Sequence, residues 1–309
     1  MTKNLLFLWL LFLGTLNVNA QEDPLLKTAN DKLYSRNFEG AIQDYNQLIS
    51  IKEDNIDALC GRAEAKINLG NYSDAIKDVD HVISIDGNNI RALTLKGESL
   101  LYLKDYTNAL KLYNQAVQKQ NPPYALAIVG KAKVMNQLGN AKDAYKILDD
   151  AIDFQPSNPE FYYARGVLNT SKEKYAKALQ DFDKAALLNP NFNPFGIALN
   201  SGIAHLNLEE AEKAIESLDK AIALDPKNGT AYQTRGLAHY SQEEFKEAID
   251  DFLRSFDFSS NNQITLFNLG MAYYKLNDKE NACLYFHKSC QAGNTNSCKM
   301  IVIVCETKR

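Results

Sequence analysis

The cysteines are the residues whose spacing most directly suggests chemistry. Four of the five lie near the C-terminus, at Cys283, Cys290, Cys298 and Cys305, with intervals of 7, 8 and 7 residues. Residues seven apart on a helix share a face but lie about 10.5 Å apart along its axis. A disulfide cannot close beyond a Cα separation of about 7 Å. Cys283–Cys290 and Cys298–Cys305 are therefore excluded if both segments are helical.

A turn separates these two segments, because residues 292–296 read Ala-Gly-Asn-Thr-Asn. Facing residues of an antiparallel hairpin have a constant sum of residue numbers. That sum is 588 both for Cys290 with Cys298 and for Cys283 with Cys305, so the sequence predicts these two disulfides. A tetrathiolate zinc site is the alternative. It requires all four sulfurs within about 2.3 Å of one ion, and pairs two helical turns apart cannot converge on it.

The other reactive side chains form no catalytic motif that we recognise. The chain has no G-x-S-x-G, H-E-x-x-H, C-x-x-C, P-loop or G-x-G-x-x-G sequence. His205 and His239 are 34 residues apart and could share a metal, but no set of carboxylates accompanies them, which favours packing. Cys60 is predicted to be a small buried packing residue. We therefore expect no enzyme, no cofactor and no metal site.

The N-terminal segment 1–20 has the pattern of a secretory signal peptide. Lys3 is followed by an apolar run over 5–16 and by a small-residue stop at 18–20. The run is shorter than the roughly 20 apolar residues that span a bilayer, so a transmembrane anchor is disfavoured. We expect an exported protein, periplasmic or extracellular, without stable membrane insertion after cleavage. Disulfides persist in such compartments.

A repeat of about 34 residues positions these features. A small residue opens the second helix of each predicted hairpin, and successive copies are 34 to 36 residues apart, at Ala41, Ala75, Ala109, Ala144, Ala178, Ala214, Ala248 and Ala282. Another small residue lies twelve residues before each of them, at Ala29, Ala63, Gly97, Ala132, Gly166, Gly202, Gly236 and Gly270. One such hairpin cannot bury its apolar face alone, so neighbouring hairpins must stack.

This pattern resembles the tetratricopeptide repeat, or TPR, and helix-ending prolines follow at Pro156, Pro190 and Pro226. The resemblance implies an all-α fold, a right-handed α-solenoid of about eight hairpins over 22–296. The repeats are predicted at about 22–55, 56–89, 90–124, 125–158, 159–194, 195–228, 229–262 and 263–296, with a C-terminal capping helix over 297–309. The spacing of Cys290 and Cys298 also resembles that of cysteine-rich helical repeats, whose hairpins are stitched in this way.

Three arginines just before the small residue of a first helix are each followed 16 residues later by an aspartate. The pairs are Arg62 with Asp78, Arg165 with Asp181, and Arg235 with Asp251. The spacing predicts an ion pair between helices of one hairpin or of adjacent hairpins. The alternative makes these arginines carboxylate receptors for a peptide, but a guanidinium fork already filled by a carboxylate is not free to bind one.

The TPR resemblance implies that first helices line a concave groove. Tyrosine and amide side chains there can stack on, and hydrogen-bond to, an extended segment. The candidate partner-binding residues are Tyr34, Tyr102, Tyr163, Asn200, Gln233, Tyr240, Asn268 and Tyr274. Any of these tyrosines could instead only pack between adjacent helices.

We therefore expect a non-enzymatic scaffold that binds a protein or peptide in this groove, as a monomer or weak oligomer. The composition is that of a folded chain, 45% hydrophobic with a net charge of −4. It contains no basic cluster that would bind nucleic acid. One alternative is a binder of cell-wall fragments or other saccharides. Another is a self-assembling module that pairs through its first hairpin or through 301–304, although that apolar run is more simply a cap on the last repeat.

Overall fold

The computed structural model describes residues 23–119, 124–258 and 263–306, and the predicted signal peptide lies outside them. These residues form α-helices, a π-helical turn and no strand, so the all-α prediction is confirmed. The elements are α1 (Pro24–Tyr34), α2 (Phe38–Ile51), α3 (Ile56–Asn68), α4 (Tyr72–Ile85), α5 (Ile90–Tyr102), α6 (Tyr106–Gln118), α7 (Ala125–Gln137), α8 (Ala141–Phe154), α9 (Pro159–Ser171), α10 (Tyr175–Leu188), α11 (Pro194–Asn207), α12 (Ala211–Leu224), α13 (Gly229–Ser241), α14 (Phe245–Phe258), α15 (Gln263–Lys275), α16 (Lys279–Gln291), α17 (Thr295–Met300) and the π-helical turn (Ile301–Cys305).

Successive helices from α1 to α16 pair into hairpins, numbered 1 to 8 in chain order. The turn inside a hairpin uses a residue in the left-handed region, with φ of 64° at Arg36 and 79° at Gly70. The chain then returns across the turn, and the N–H of Asn37 donates to the carbonyl of Lys32 at 2.8 Å. The side chain of Asn37 accepts from the N–H of Gly40 at 3.1 Å and caps the second helix. Local hydrogen bonds thus end one helix and start the next.

Small residues bring the two helices of a hairpin together, as the spacing predicts. All eight alanines that open the second helices are fully buried. Gly166 shows why a larger residue is excluded, because a Cβ there would lie 2.5 Å from Cε1 of Phe182 on the second helix of the same hairpin. At Gly130 a Cβ would collide with the ring of Tyr113, on the second helix of the preceding hairpin. Close approach is therefore required within hairpins and between them.

The chain divides into two compact units, with the boundary between Leu112 and Tyr113 inside α6. Unit 1 contains α1 to α5 and the first part of α6. Its core includes the fully buried Tyr45 and Val79. Unit 2 contains the remaining elements, and its core is built around large buried side chains such as Phe161, Phe182, Phe252 and Phe286. In the three described ranges, no helix has both the length and the apolar character that crossing a membrane requires.

The C-terminal apolar run is divided between the core and the surface. Ile301 and Val304 are buried in a cluster with Phe286. Val302 and Ile303 between them are 57% and 59% exposed. Half of the run therefore closes the last hairpin, and the other half faces outward.

Candidate functional site

Two disulfides join the elements at the C-terminal end of the chain. They link Cys283 to Cys305 and Cys290 to Cys298, with Cα separations of 5.8 and 5.0 Å. These are the same two pairs that the residue-number sum predicts. They fasten α16 to the π-helical turn and to α17, and they use all four sulfurs. The described ranges contain no group of three or more side chains suited to hold a metal ion.

Cys60 is the free cysteine, and it is 1% exposed on α3. Burial raises the pKa of its thiol to about 11. The thiol therefore stays protonated at neutral pH and is a poor nucleophile. A packing role, as predicted from the sequence, fits this environment.

Each of the three arginines binds two hairpins at once. In unit 2, Nε and Nη2 of Arg165 donate to Asp181 on the second helix of the same hairpin, the latter at 2.7 Å. Its Nη1 donates to Asp149, on the second helix of the preceding hairpin, at 2.7 Å. Arg62 and Arg235 repeat this pattern, and their Nη1 partners are Asn46 and Asp219. Nε, Nη1 and Nη2 of all three guanidinium groups are engaged. The predicted ion pair with the aspartate 16 residues later joins the two helices of one hairpin, and the Nη1 contact links that hairpin to the preceding one.

The sequence prediction missed the second of these contacts. Its signal is readable, because an aspartate or asparagine lies 16 residues before each arginine as well as 16 after it. The partners before the arginines are Asn46, Asp149 and Asp219.

Each of the two histidines, His205 and His239, contacts a glutamate of its own hairpin. Nδ1 of His205 lies 2.6 Å from Oε2 of Glu210, and Nδ1 of His239 lies 2.6 Å from Oε2 of Glu244. The hydrogen bond with His205 lowers the pKa of the Glu210 carboxyl. Each pair closes the turn of its own hairpin, which gives both histidines a local structural partner.

The candidate tyrosines of unit 1 differ in their surroundings. Tyr34, at the end of α1, is 78% exposed. Tyr102, at the end of α5, is 50% exposed, and its ring stacks on Tyr72 with centroids 4.8 Å apart. Burial, followed by the charge of Glu98, raises the pKa of the Tyr102 hydroxyl.

In unit 2 the structure brings two of the candidates together. The side-chain amide of Asn200 donates to the hydroxyl of Tyr163 at 3.2 Å, across α9 and α11. The Tyr163 ring packs against Phe182 and Phe192, with centroids 5.8 and 5.9 Å away. A Cβ at Gly196 would lie 2.6 Å from the Tyr163 hydroxyl and would also collide with the side chain of Asn193. Tyr163 therefore packs between hairpins 5 and 6.

The remaining candidates lie on α13 and α15. Tyr240 is partly buried and packs edge-on against Phe245, with centroids 5.3 Å apart, and burial raises the pKa of its hydroxyl. Tyr274 occupies the equivalent position on α15 and is 43% exposed. Gln233 is partly buried on α13. Asn268 buries its amide nitrogen without a hydrogen-bond partner among the described residues.

An apolar row runs across the first helices of hairpins 5 to 8, and the sequence prediction missed it. The residue directly after the small residue of each first helix is Val167, Ile203, Leu237 or Met271, and all four are partly exposed. On a helix, this position lies on the opposite side from the arginine two residues earlier. Since Arg165 and Arg235 point to the second helices, the row faces away from them. Helix α9 contacts α11, and α11 contacts α13. Leu237 on α13 packs against a core cluster that includes Leu269 and Ala272 of α15.

We define the apolar face of unit 2 as five positions on each of these four helices, at −6, −3, +1, +4 and +5 from the small residue. Its members are Glu160, Tyr163, Val167, Thr170, Ser171, Gly196, Leu199, Ile203, Leu206, Asn207, Thr230, Gln233, Leu237, Tyr240, Ser241, Ile264, Phe267, Met271, Tyr274 and Lys275. Only Glu160 and Lys275 carry a charge. They lie on the two outermost helices, Glu160 near the start of α9 and Lys275 at the end of α15.

Glu160 is the unusual charge on this face. Its Oε2 is buried and has no hydrogen-bond partner in the part of the chain that the structure describes. Burial raises the pKa of its carboxyl. The equivalent position in hairpin 3 is Arg91, which donates to Glu64 on the preceding first helix at 2.9 Å. The same position therefore holds a satisfied ion pair in unit 1 and an unsatisfied carboxylate oxygen in unit 2.

Models of the tetratricopeptide repeat match residues 60–125, 100–168, 159–192, 199–263 and 265–291. Together these matches cover well over half of the chain, which belongs to the tetratricopeptide repeat family. The fold is one that supports protein-interaction scaffolds, and members of this family are typically not enzymes. No curated protein matches the chain.

Solved structures show the same fold at low sequence identity. The APC/C hetero-tetramer Cut9–Hcn1 is 14% identical with a TM-score of 0.75, covering 94% of this chain and 57% of that chain. This chain therefore spans little more than half of that protein. PilF of Pseudomonas aeruginosa is 17% identical with a TM-score of 0.60, covering 69% of this chain and 96% of that one. A tetratricopeptide repeat protein of Parabacteroides merdae is 16% identical with a TM-score of 0.54, covering 80% and 97%.

Proposed function

We propose that this protein is an exported, non-enzymatic scaffold that binds a protein or peptide on the apolar face of unit 2. The observation that carries the proposal is the apolar face itself. Monomeric soluble proteins rarely expose large contiguous apolar patches, and those that do use them for binding. Here, partly exposed apolar side chains from four successive hairpins occur together with only two charges.

The candidate residues from the sequence fit this face unequally. Tyr240 and Tyr274 lie at the same position of successive first helices, and both are at least partly exposed. We therefore assign them to partner contact. Tyr163 and Asn200 are committed to each other and to packing between hairpins. We assign them to holding the face in shape. Gln233 is a member of the face, whereas Asn268 lies outside its five positions.

Export is part of the proposal. The segment 1–20 has the pattern of a cleaved signal peptide, although it lies outside the described residues. Two disulfides are compatible with an oxidising compartment, because cytosolic proteins seldom keep them. We therefore propose a periplasmic or extracellular location. One neighbouring fold, Cut9, was solved as a hetero-tetramer with Hcn1, which shows such a fold bound to another chain.

The test is capture of partners from the exported fraction by the full exported chain and by a Tyr240→Ala/Tyr274→Ala variant. Tyr34→Ala in unit 1 is the matched control, since Tyr34 is 78% exposed and lies outside the face. We expect the same protein to be recovered with wild type and control and lost with the double variant. Recovery that is identical for all three chains would contradict the proposal. Binding to a glycan array that is lost in the double variant would favour the saccharide alternative.

A further inference from the structure

We propose that the occupant of the apolar face is a polypeptide segment with apolar side chains and one basic residue near an end, and that Glu160 receives the base. This inference rests on the proposed function and adds the chemistry of the partner. Three observations lead to it: the composition of the face, the state of Glu160 and the comparison with unit 1.

The first observation concerns what the face can bind. Val167, Ile203, Leu237 and Met271 form its centre, and Ile264 at the far edge is 53% exposed. Such a surface gains free energy only by removing apolar groups from water. Its polar members are uncharged amides and hydroxyls, apart from the two charges at opposite ends. A strongly charged segment would lose its hydration there without compensation.

The second observation is the carboxylate of Glu160. A buried carboxylate oxygen without a hydrogen bond destabilises the protein that contains it. No lysine or arginine in the described ranges forms an ion pair with it, although the exposed Lys133 lies on the preceding first helix, α7. A cation that arrives with a partner would satisfy this carboxylate. Lys275, the other charge of the face, is exposed at the opposite end. It favours an acidic or uncharged group of the partner at that end.

The third observation is that the charge at the equivalent position of unit 1 has a partner of opposite charge. In unit 1, Arg91 at the position of Glu160 pairs with Glu64, on the preceding first helix, at 2.9 Å. In unit 1, a residue of the same chain, Glu64, therefore neutralises the charge at the equivalent position. In unit 2 the charge at that position is negative, so the complementary group is a guanidinium or an ammonium. Charge complementarity therefore favours a peptide with a basic end over a saccharide or an acidic peptide.

The probes are labelled 12-residue peptides of leucine and serine with one arginine near the N-terminal end, and their reversed sequences. Matched peptides carry citrulline, which has the same shape without the charge, and a further peptide replaces each leucine by serine. Binding to the full exported chain is measured by fluorescence anisotropy. We expect one arginine peptide to bind about tenfold more tightly than its citrulline counterpart, as a charge-assisted hydrogen bond provides. The serine peptide should not bind.

Two variants decide the role of the residues. Glu160→Gln should abolish the preference for arginine over citrulline and leave citrulline binding unchanged. Ile203→Ser/Leu237→Ser should remove binding of both peptides. Glu64→Gln in unit 1 is the matched control and should change neither affinity. Because citrulline binding should be retained in Glu160→Gln, loss of folding cannot imitate its expected effect.

Several results would overturn the inference. It fails if wild type binds arginine and citrulline peptides equally, if the preference survives in Glu160→Gln, or if no apolar peptide binds. It also fails if light scattering shows a dimer that Leu237→Ser dissolves, because the face then receives a second copy. In each of these cases, partner capture that still depends on Tyr240 and Tyr274 leaves the proposed function standing. If capture is also independent of those tyrosines, the proposed function fails as well.

Discussion

The first-helix faces of the two units share one backbone pattern and differ in what they present to a partner. In unit 1, hairpins 1 and 2 and helix α5 place Asn30, Glu64 and Glu98 directly after the small residue. At the same position in unit 2, hairpins 5 to 8 place four apolar side chains. This position also takes part in packing, since Leu237 and Met271 each contact a core cluster. The change from polar to apolar side chains between the units is the difference on which the proposed binding role rests.

The ion pairs inside single hairpins also differ between the units. Asp78 in unit 1 accepts from Arg62 and also from Lys66 at 2.7 Å. In unit 2, Asp251 accepts from Arg235, and its other basic neighbour, His239, lies 3.9 Å away. Asp78 therefore has a second cation within hydrogen-bond distance, whereas the ion pair of Asp251 depends on Arg235.

The largest expected effect follows from this difference. Arg235→Leu leaves the carboxylate of Asp251, 3% exposed, without its partner, and removing one member of such a pair costs about 3–5 kcal/mol. Arg62→Leu should cost less, because Lys66 remains on Asp78. Chemical denaturation of both variants measures their free energies of unfolding relative to wild type. Equal losses would show that Lys66 does not compensate, and replacing Asp251 by leucine as well should restore part of the loss in unit 2.

Next in size is removal of a disulfide, which acts on unit 2 alone. Cys283→Ser/Cys305→Ser opens a link across 22 residues, and loss of such a link destabilises by about 2–4 kcal/mol. Cys290→Ser/Cys298→Ser opens a link across 8 residues and should cost less. Amide hydrogen exchange measures the effect. We expect faster exchange than in wild type in α16 and α17, and an unchanged rate in unit 1. Uniform acceleration through both units would contradict a local role for the disulfides.

A smaller effect, of opposite sign, is expected for Glu160→Gln. Burial raises the pKa of this carboxyl above its unfolded value, so ionisation destabilises the native state as pH rises from the unfolded to the folded pKa. At neutral pH the variant should be more stable than wild type by about 1 kcal/mol. The gain should vanish in acid, where Glu160 is protonated in both states. Thermal unfolding across pH measures it, and Glu64→Gln, which loses its pairing with Arg91, should show no gain.

The smallest expected effect is that of breaking the surface pair of unit 1. The side chains of Arg91 and Glu64 are 35% and 34% exposed, and pairs this open to solvent contribute about 0–1 kcal/mol. Arg91→Gln should therefore lower the melting temperature only slightly, and added salt should reduce the difference further. A loss as large as that of Arg235→Leu would mean that the first-helix face of unit 1 also contributes to folding.

Spacing was enough to predict the hairpins and the disulfides. The eight alanines at the start of the second helices are fully buried because a fixed period places them against a facing helix. The constant sum of residue numbers, 588, predicted the correct cysteine pairs because the positions that face each other in a hairpin depend only on helix geometry. The boundaries of the repeats and of the signal peptide remain predictions.

The candidate binding residues could not be chosen by spacing alone. Tyr163 was selected for its residue type, yet its ring packs against Phe182 and Phe192, because Gly196 on the next first helix leaves room for it. The apolar row was overlooked because valine, isoleucine, leucine and methionine look like core residues in a sequence. Whether they are covered depends on how closely neighbouring first helices approach each other, which the repeat period does not reveal. Likewise, the second contact of Arg165, to Asp149, needs the preceding hairpin in place.

The most direct test of the account is site-specific cross-linking at matched positions of the two units. A photoreactive amino acid is placed at Leu237 in unit 2, at Glu64 in unit 1, or at the 77% exposed Leu187 on a second helix, and each exported chain is illuminated in its native compartment. We predict a discrete adduct with a protein partner from position 237 and none from positions 64 and 187. Adducts of the same size from all three positions, or from position 64 or 187 only, would contradict a binding face on unit 2.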